Sequence, residues 1–140
     1  LVTADLEPVS VESKLDWFSE HNSETRPLWM VQDSQENTIG WVSFQDFYGR
    51  PAYQKTAEIS IYIDENFRDK GFGRQILELS IEKCPSLGIE NLLAFIFAHN
   101  LPSLTLFEKF GFELWGNLKN IAEMDGEKRS LIILGKTIKH

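Results

Sequence analysis

Residues 56–63 alternate without a break, with Ala57, Ile59, Ile61 and Ile63 on one face of an extended chain and Glu58, Ser60 and Tyr62 on the other. Glu58 therefore points away from the aliphatic face. After a short polar link, residues 71–84 carry Phe72, Ile76, Leu79 and Ile81 at helical spacing, and Pro85 stops the helix. Residues 91–98 are then almost continuously apolar, the pattern of a parallel strand covered on both faces. A strand, a crossover helix and a second buried strand predict a right-handed βαβ unit. Whatever else the chain forms must be arranged around that unit, so the fold class is α/β (α+β).

The remaining segments supply the surroundings. Residues 8–11 read as a helix start, with Ser10 as N-cap and Val11, Leu15 and Phe18 on one helical face. Residues 28–31 and 39–44 flank the polar run 33–37 and predict a hairpin. Residues 46–54 follow neither period and hold Gly49 and Pro51, so they read as a loop, one that carries Arg50 and Tyr53. Residues 101–110 predict a short helix with Leu104 and Phe107 inward, ended by Gly111. Residues 112–115 and 130–137 predict two more strands around the turn Asp125-Gly126-Glu127.

Composition narrows the function classes. A chain of 140 residues that is 42% hydrophobic, with ten Phe and four Trp, is expected to bury one core as a single domain over 1–140. Its net charge of -7 makes nucleic acid a poor partner. A lone cysteine, Cys84, excludes an intramolecular disulfide framework and suits a reducing cytosol. The longest apolar run, residues 92–98, is far short of the roughly 20 residues a membrane span needs. A cytoplasmic protein without membrane partners is therefore expected. His21 and His99 have no carboxylate or cysteine at ligand spacing, so no metal site is expected. Cys84, at a helix end before Pro85, reads as buried and inert.

The link between the alternating strand and the long helix is Arg68-Asp69-Lys70-Gly71-Phe72-Gly73-Arg74. Glycines allow close backbone approach, and a helix N-terminus offers unpaired N–H groups at the positive end of its dipole, which together make a cradle for an anion such as pyrophosphate. Alone, the same turn reads equally well as a strand-to-helix connection whose glycines relieve strain.

Three motifs in order change that balance. Arg68-x-x-Gly71-x-Gly73 follows an alternating strand, Asn100-x-x-Ser103 lies just beyond the next buried strand, and Phe107 to Gly111-Phe112 comes after. This order resembles the GCN5-related N-acetyltransferase (GNAT) superfamily. Arg50-Pro51-Ala52-Tyr53, then Thr56-Ala57-Glu58 and Ile61-Tyr62-Ile63, is similar more narrowly to the phosphinothricin and methionine sulfoximine acetyltransferase branch.

The resemblance implies a GNAT fold: a mixed central sheet with a βαβ acetyl-CoA-binding unit, flanked by helices. It also implies a chain that starts late, with the first strand and helix missing. Arg68, Asp69, Lys70, Gly71, Phe72, Gly73 and Arg74 would hold the acetyl-CoA pyrophosphate through backbone amides. Ile61, Tyr62 and Ile63 would pair with pantetheine where the two parallel strands splay apart, and Asn100 and Ser103 would contact the cofactor arm. Glu58 matches the carboxylate that deprotonates the amine, a role that suits a partly desolvated acid; on its own it reads more readily as a surface or paired glutamate. Arg50, Ala52 and Tyr53 match the acceptor loop. Arg129 stands where the branch carries a histidine; it cannot act as a base, but it can bind a carboxylate or phosphinate. Phe107 replaces the tyrosine with which many relatives protonate the leaving thiolate.

The implied activity is acetyl-CoA-dependent N-acetylation of a small amino-acid-like amine by a homodimeric enzyme. Two alternatives stand beside it. The acidic surface would suit a protein or polyamine acceptor, and Phe107 would suit a catalytically silent acetyl-CoA-binding module.

Overall fold

The computed structural model describes residues 7–10 and 24–138. Among the described residues seven strands form one sheet: β1 (Glu7–Ser10), β2 (Leu28–Gln32), β3 (Thr38–Asp46), β4 (Thr56–Ile63), β5 (Asn91–Phe97), β6 (Glu113–Met124) and β7 (Glu127–Thr137). Two helices, α1 (Phe72–Lys83) and α2 (Leu101–Lys109), follow β4 and β5. The spatial order is β1-β2-β3-β4-β5-β7-β6. Every neighbouring pair is antiparallel except β4 and β5. That one parallel pair, joined through α1, is the βαβ unit expected from the alternation.

The core lies where the centre of the sheet meets the helices. Ala57 and Ile59 of β4, Leu92 and Ala94 of β5, and Phe44 of β3 are buried together with Phe72, Ile76 and Leu77 of α1. The inward face of α1 differs slightly from the expected one. Phe72, Ile76, Leu77 and Ser80 are buried, while Leu79 and Ile81 are only partly so. Ser80 is tolerated there because its hydroxyl donates to the Ile76 carbonyl at 2.7 Å, which satisfies the buried group.

Two differences from the sequence expectation have physical causes. Residues 7–10 form β1, paired antiparallel to β2 with Ser10 opposite Trp29, so the chain is extended where the sequence reads as a helix start. Pro8 is compatible with this position because β1 is an edge strand, where a missing N–H need not break a ladder. Val11, Leu15 and Phe18, expected on a following helix, lie outside the described residues. At the other end, β6 and β7 are longer than the expected 112–115 and 130–137. The register shifts between Leu114 and Gly116 and again between Leu118 and Ala122, so the pairing is backbone-driven and leaves no clean alternation in the sequence.

Candidate active site

β4 and β5 pair only at their beginnings. Thr56 is opposite Asn91, Ala57 opposite Leu92 and Glu58 opposite Leu93; beyond Glu58 the two strands share no ladder pair. The rest of β4, including Ile61, Tyr62 and Ile63, therefore presents one backbone edge to a gap in the sheet. On its other side β4 is held by β3 as far as Gly40 opposite Ile63. Gly40 is required there, because a Cβ would lie 2.1 Å from the Tyr62 carbonyl oxygen.

The gap opens into a cleft of about 520 Å³. β4 contributes Ile61, Tyr62 and Ile63 to its walls, and the following link contributes Arg68, Asp69 and Gly71. Phe72 and Gly73 line it from α1, and Asn100 and Ser103 from the start of α2. Ten of the twelve residues expected to bind the cofactor thus come together; Lys70 and Arg74 do not line this cleft. Phe67, Pro102 and Leu106 complete it, and no motif position had marked them.

Local chemistry leaves an anion cradle in the cleft. Gly71 takes a left-handed conformation at φ 82°, turning the chain into α1, and no side chain caps the helix. The first N–H groups of α1 are thus left for a ligand. The start of α2 differs: the Asn100 side chain accepts from the Ser103 N–H at 3.3 Å. Arg68 Nε donates to the Ile63 carbonyl at 3.0 Å, and its guanidinium lies 5.7 Å from the centre of the Tyr62 ring. Arg68 therefore fastens the link to the end of β4.

Glu58 is the last residue of β4 paired with β5, half-buried between Gln45 of β3 and Leu93 of β5. Burial pushes its carboxyl above the ordinary value of 4.5. Three residues further on, roughly 10 Å along the strand, Ile61 enters the cleft. In the other direction the loop after Asp46 begins beside Ala57, next to Glu58. The acceptor-loop candidates and the cofactor-cleft candidates thus lie at opposite ends of β4, with Glu58 between them.

That loop forms a second small cavity of about 250 Å³ lined by Asp46, Gly49, Arg50, Pro51, Tyr53 and Gln54. Ala52 is exposed and does not line it. Arg50 lies 5.5 Å from the centre of the Tyr48 ring. Phe47, Tyr48 and Tyr53 pack against one another with centroids 5.5 to 6.1 Å apart, yet all three stay exposed. The buried Arg26, which sequence reasoning missed, holds the two ends of this loop. It donates to Asp46 Oδ1 at 2.8 Å, to the Thr25 carbonyl at 2.7 Å and to the Gln54 carbonyl at 2.5 Å. A single arginine ahead of a strand has no spacing signal by which it could have been found.

Arg129 is not brought to this site. It lies six residues along β7 from Gly135, which pairs with Leu93 in the row of Glu58, so it is roughly 20 Å away along the strand. Its guanidinium is paired with Glu127 at 2.5 Å. Phe107 is buried, its ring edge-on to Phe112 at 5.0 Å, and has no proton to give. Cys84 is fully buried, and desolvation pushes its thiol up to about 12. Among the described residues no three His, Cys, Asp or Glu side chains cluster as metal ligands.

A parallel pair that parts beside an uncapped glycine turn fits acetyl-CoA, which has an extended amide-bearing arm and a pyrophosphate. The comparison with known sequences agrees: residues 3–112 match the Acetyltransferase (GNAT) family. This chain belongs to the GNAT acetyltransferase family. It is 54% identical over 138 residues to YwnH of Bacillus subtilis, named provisionally a phosphinothricin acetyltransferase, covering 99% of this chain and 84% of that protein. It is 27% identical over 119 residues to an L-methionine sulfoximine/L-methionine sulfone acetyltransferase of Pseudomonas aeruginosa, covering 85% of this chain and 69% of that one. Among solved structures, a GNAT phosphinothricin acetyltransferase from Sinorhizobium meliloti in complex with acetyl-CoA superposes with a TM-score of 0.75 at 27% identity. That match covers 81% of this chain and 61% of the other. This GNAT enzyme uses acetyl-CoA as its acetyl donor. Among the described residues no helix is long and apolar enough to cross a membrane.

Proposed function

We propose that this acetyltransferase, acting as one catalytic domain over 1–140, acetylates the amine of a small amino-acid-like acceptor of the phosphinothricin or methionine sulfoximine type. The names of its relatives support that acceptor class. The observation that carries the reading is the placement of Glu58 at the last position where β4 pairs with β5, between the cleft and the Arg50 loop. Acetyl-CoA supplies an activated acyl group, and the chain's own residues do the rest. Main-chain groups of Ile61, Tyr62 and Ile63 hold the pantetheine arm in the gap. The N–H groups after Gly71 face the pyrophosphate, and Asn100 and Ser103 border the arm. An amine arrives largely as ammonium and must lose a proton before it can attack a thioester. Glu58, its proton affinity raised by burial, accepts that proton directly or through one water. Arg50 faces the acceptor's carboxylate or phosphinate, and Tyr53 walls the same cavity.

The reading places the enzyme in the cytoplasm, in keeping with the reduced, buried Cys84. It also expects a homodimer. Leu114, Trp115, Leu118 and Ile121 are exposed on the edge strand β6, and a second copy would cover them.

A thiol-release assay with acetyl-CoA across phosphinothricin, methionine sulfoximine, spermidine and lysine peptides tests the acceptor. Turnover confined to the two amino acids is the expected result. Preference for spermidine or peptides would overturn the acceptor class, and bound acetyl-CoA without turnover of any amine would make the protein a silent module.

A further inference from the structure

The far end of β4 holds a side-chain arrangement that the cofactor reading leaves unused. Gly40 pairs with Ile63, while the Asp64 N–H donates to the Ile39 carbonyl at 2.8 Å. Hydrogen-bonded and non-hydrogen-bonded pairs alternate in an antiparallel ladder, so the Ile63 main chain is turned away from β3 and towards the gap. Its carbonyl is the last acceptor that β4 offers there, and Arg68 Nε already holds it at 3.0 Å. The Arg68 guanidinium also lies 5.7 Å from the centre of the Tyr62 ring, which is exposed and stands on the face opposite the aliphatic one. The backbone between Arg68 and α1 needs such a brace. Asp69 is left-handed at φ 61°, as is Gly71 at φ 82°, and a left-handed residue other than glycine persists where its surroundings hold it.

We propose that Arg68, its side chain held between the Ile63 carbonyl and the Tyr62 ring, is a positioning residue that stops the donor's extended arm at Ile63 and fixes the turn where the pyrophosphate meets α1. The inference rests on the acetyl-CoA placement proposed above and goes beyond it. An amide arm in the gap pairs with main-chain groups one after another. At Ile63 the next acceptor is taken, so the arm has no partner for a further step and leaves the plane of the sheet. It leaves beside the N–H groups that follow Gly71, where α1 begins. A guanidinium suits this task, because its planar fork makes a directed hydrogen bond and a ring contact at once. Tyr62 is then a second positioning residue, acting through Arg68. The effect of Arg68 on the donor is thus geometric, and positive charge alone does not replace it.

Calorimetric titration with acetyl-CoA tests this, together with displacement titration by S-acetylpantetheine, which carries the same amide arm and no pyrophosphate. Arg68→Gln should weaken acetyl-CoA binding about tenfold, the scale of a lost hydrogen bond from a charged group, and leave S-acetylpantetheine within about twofold. Arg68→Lys, which keeps the charge, should fall as far as Arg68→Gln. Tyr62→Leu should weaken acetyl-CoA binding roughly two- to fivefold and add nothing when combined with Arg68→Gln. Both side chains are exposed, so circular dichroism spectra should be unchanged. Full affinity in Arg68→Lys would make Arg68 a simple counter-charge. Unchanged affinity in Arg68→Gln, equal losses for the two donors, or additive losses in the double variant would also overturn the positioning role, and each leaves the placement of the donor intact. If the unmodified protein binds the two donors equally, the pyrophosphate has no cradle after Gly71, and that placement fails together with the inference.

Discussion

Arg26 Nε stands 2.8 Å from Asp46 Oδ1, and this contact joins the approach to β2 to the final residue of β3. The same guanidinium also donates to the carbonyl of Gln54 at the far side of the 47–53 loop, so one buried cation holds both ends of the segment that carries Arg50 and Tyr53. Removing it should loosen the loop without touching the cofactor cleft. Arg26→Gln is expected to destabilise the fold by about 2–3 kcal/mol, since hydrogen bonds from charged groups contribute about 1.5–3 kcal/mol and Asp46 is mostly exposed. It should raise the acceptor KM while leaving acetyl-CoA affinity unchanged. Thermal denaturation with steady-state kinetics checks both; an unaltered acceptor KM would show that the clamp serves stability alone.

Glu58→Gln should lower kcat by roughly 10²–10⁴-fold, the contribution expected of a general base, with acetyl-CoA affinity near its original value. The unmodified enzyme should lose activity on the acid side at a pH above 4.5, because burial favours the protonated form in the folded state. The same sign governs stability. A raised folded value means that the stabilising contribution is complete below the ordinary value and is lost as pH climbs through the folded one. Glu58→Gln should therefore match the unmodified protein near pH 4 and become relatively more stable towards neutrality. Denaturant titrations across that interval read the difference; a constant offset at every pH contradicts it.

Arg50→Ala should raise KM strongly for acceptors bearing a carboxylate or phosphinate and barely for neutral amines, through loss of a charged pair. The Arg50 guanidinium lies against the Tyr48 ring, and Arg50 lines the cavity of that loop. Equal effects on the two acceptor types would reduce Arg50 to a support of the loop.

Gly73 allows a separate test of the cleft. A Cβ there would lie 3.4 Å from Leu106 Cδ2 and 3.7 Å from Ile63 Cδ1, ordinary contacts that the fold can accept. Gly73→Ala should fold normally, and Gly73→Val should fill the cleft and abolish most acetyl-CoA binding. Calorimetry on the folded variants measures this, and unchanged affinity in the valine variant would remove the pyrophosphate from that turn.

Much of this site was legible because its parts are local. The alternation of residues 56–63 sets β4, the period of α1 follows from its apolar spacing, and the glycines between them announce a turn that one chain segment completes by itself. Where long-range pairing decides, the sequence was silent. Pro8 and Ser10 have good helix-start chemistry, but the open edge of β2 recruits them into a strand. β6 contains two register shifts that blur its period, so only its first residues could be seen. Arg26 acts through partners at positions 46 and 54, which no motif links to it. Arg129 was associated with the acceptor by position in the chain; register, invisible in one sequence, carries it along β7 to Glu127.

The parting of β4 from β5 after Glu58 has a consequence for what may enter it. A sheet interrupted in its middle is a vacancy for one extended chain, and its rim of peptide groups can be satisfied only by a guest with amides of its own. Such a guest is admitted for its resemblance to a polypeptide more than for its charge or its acyl group. On the reading proposed above it would act as a removable strand between β4 and β5, so the halves of this sheet would be joined most firmly while the enzyme is loaded and at work.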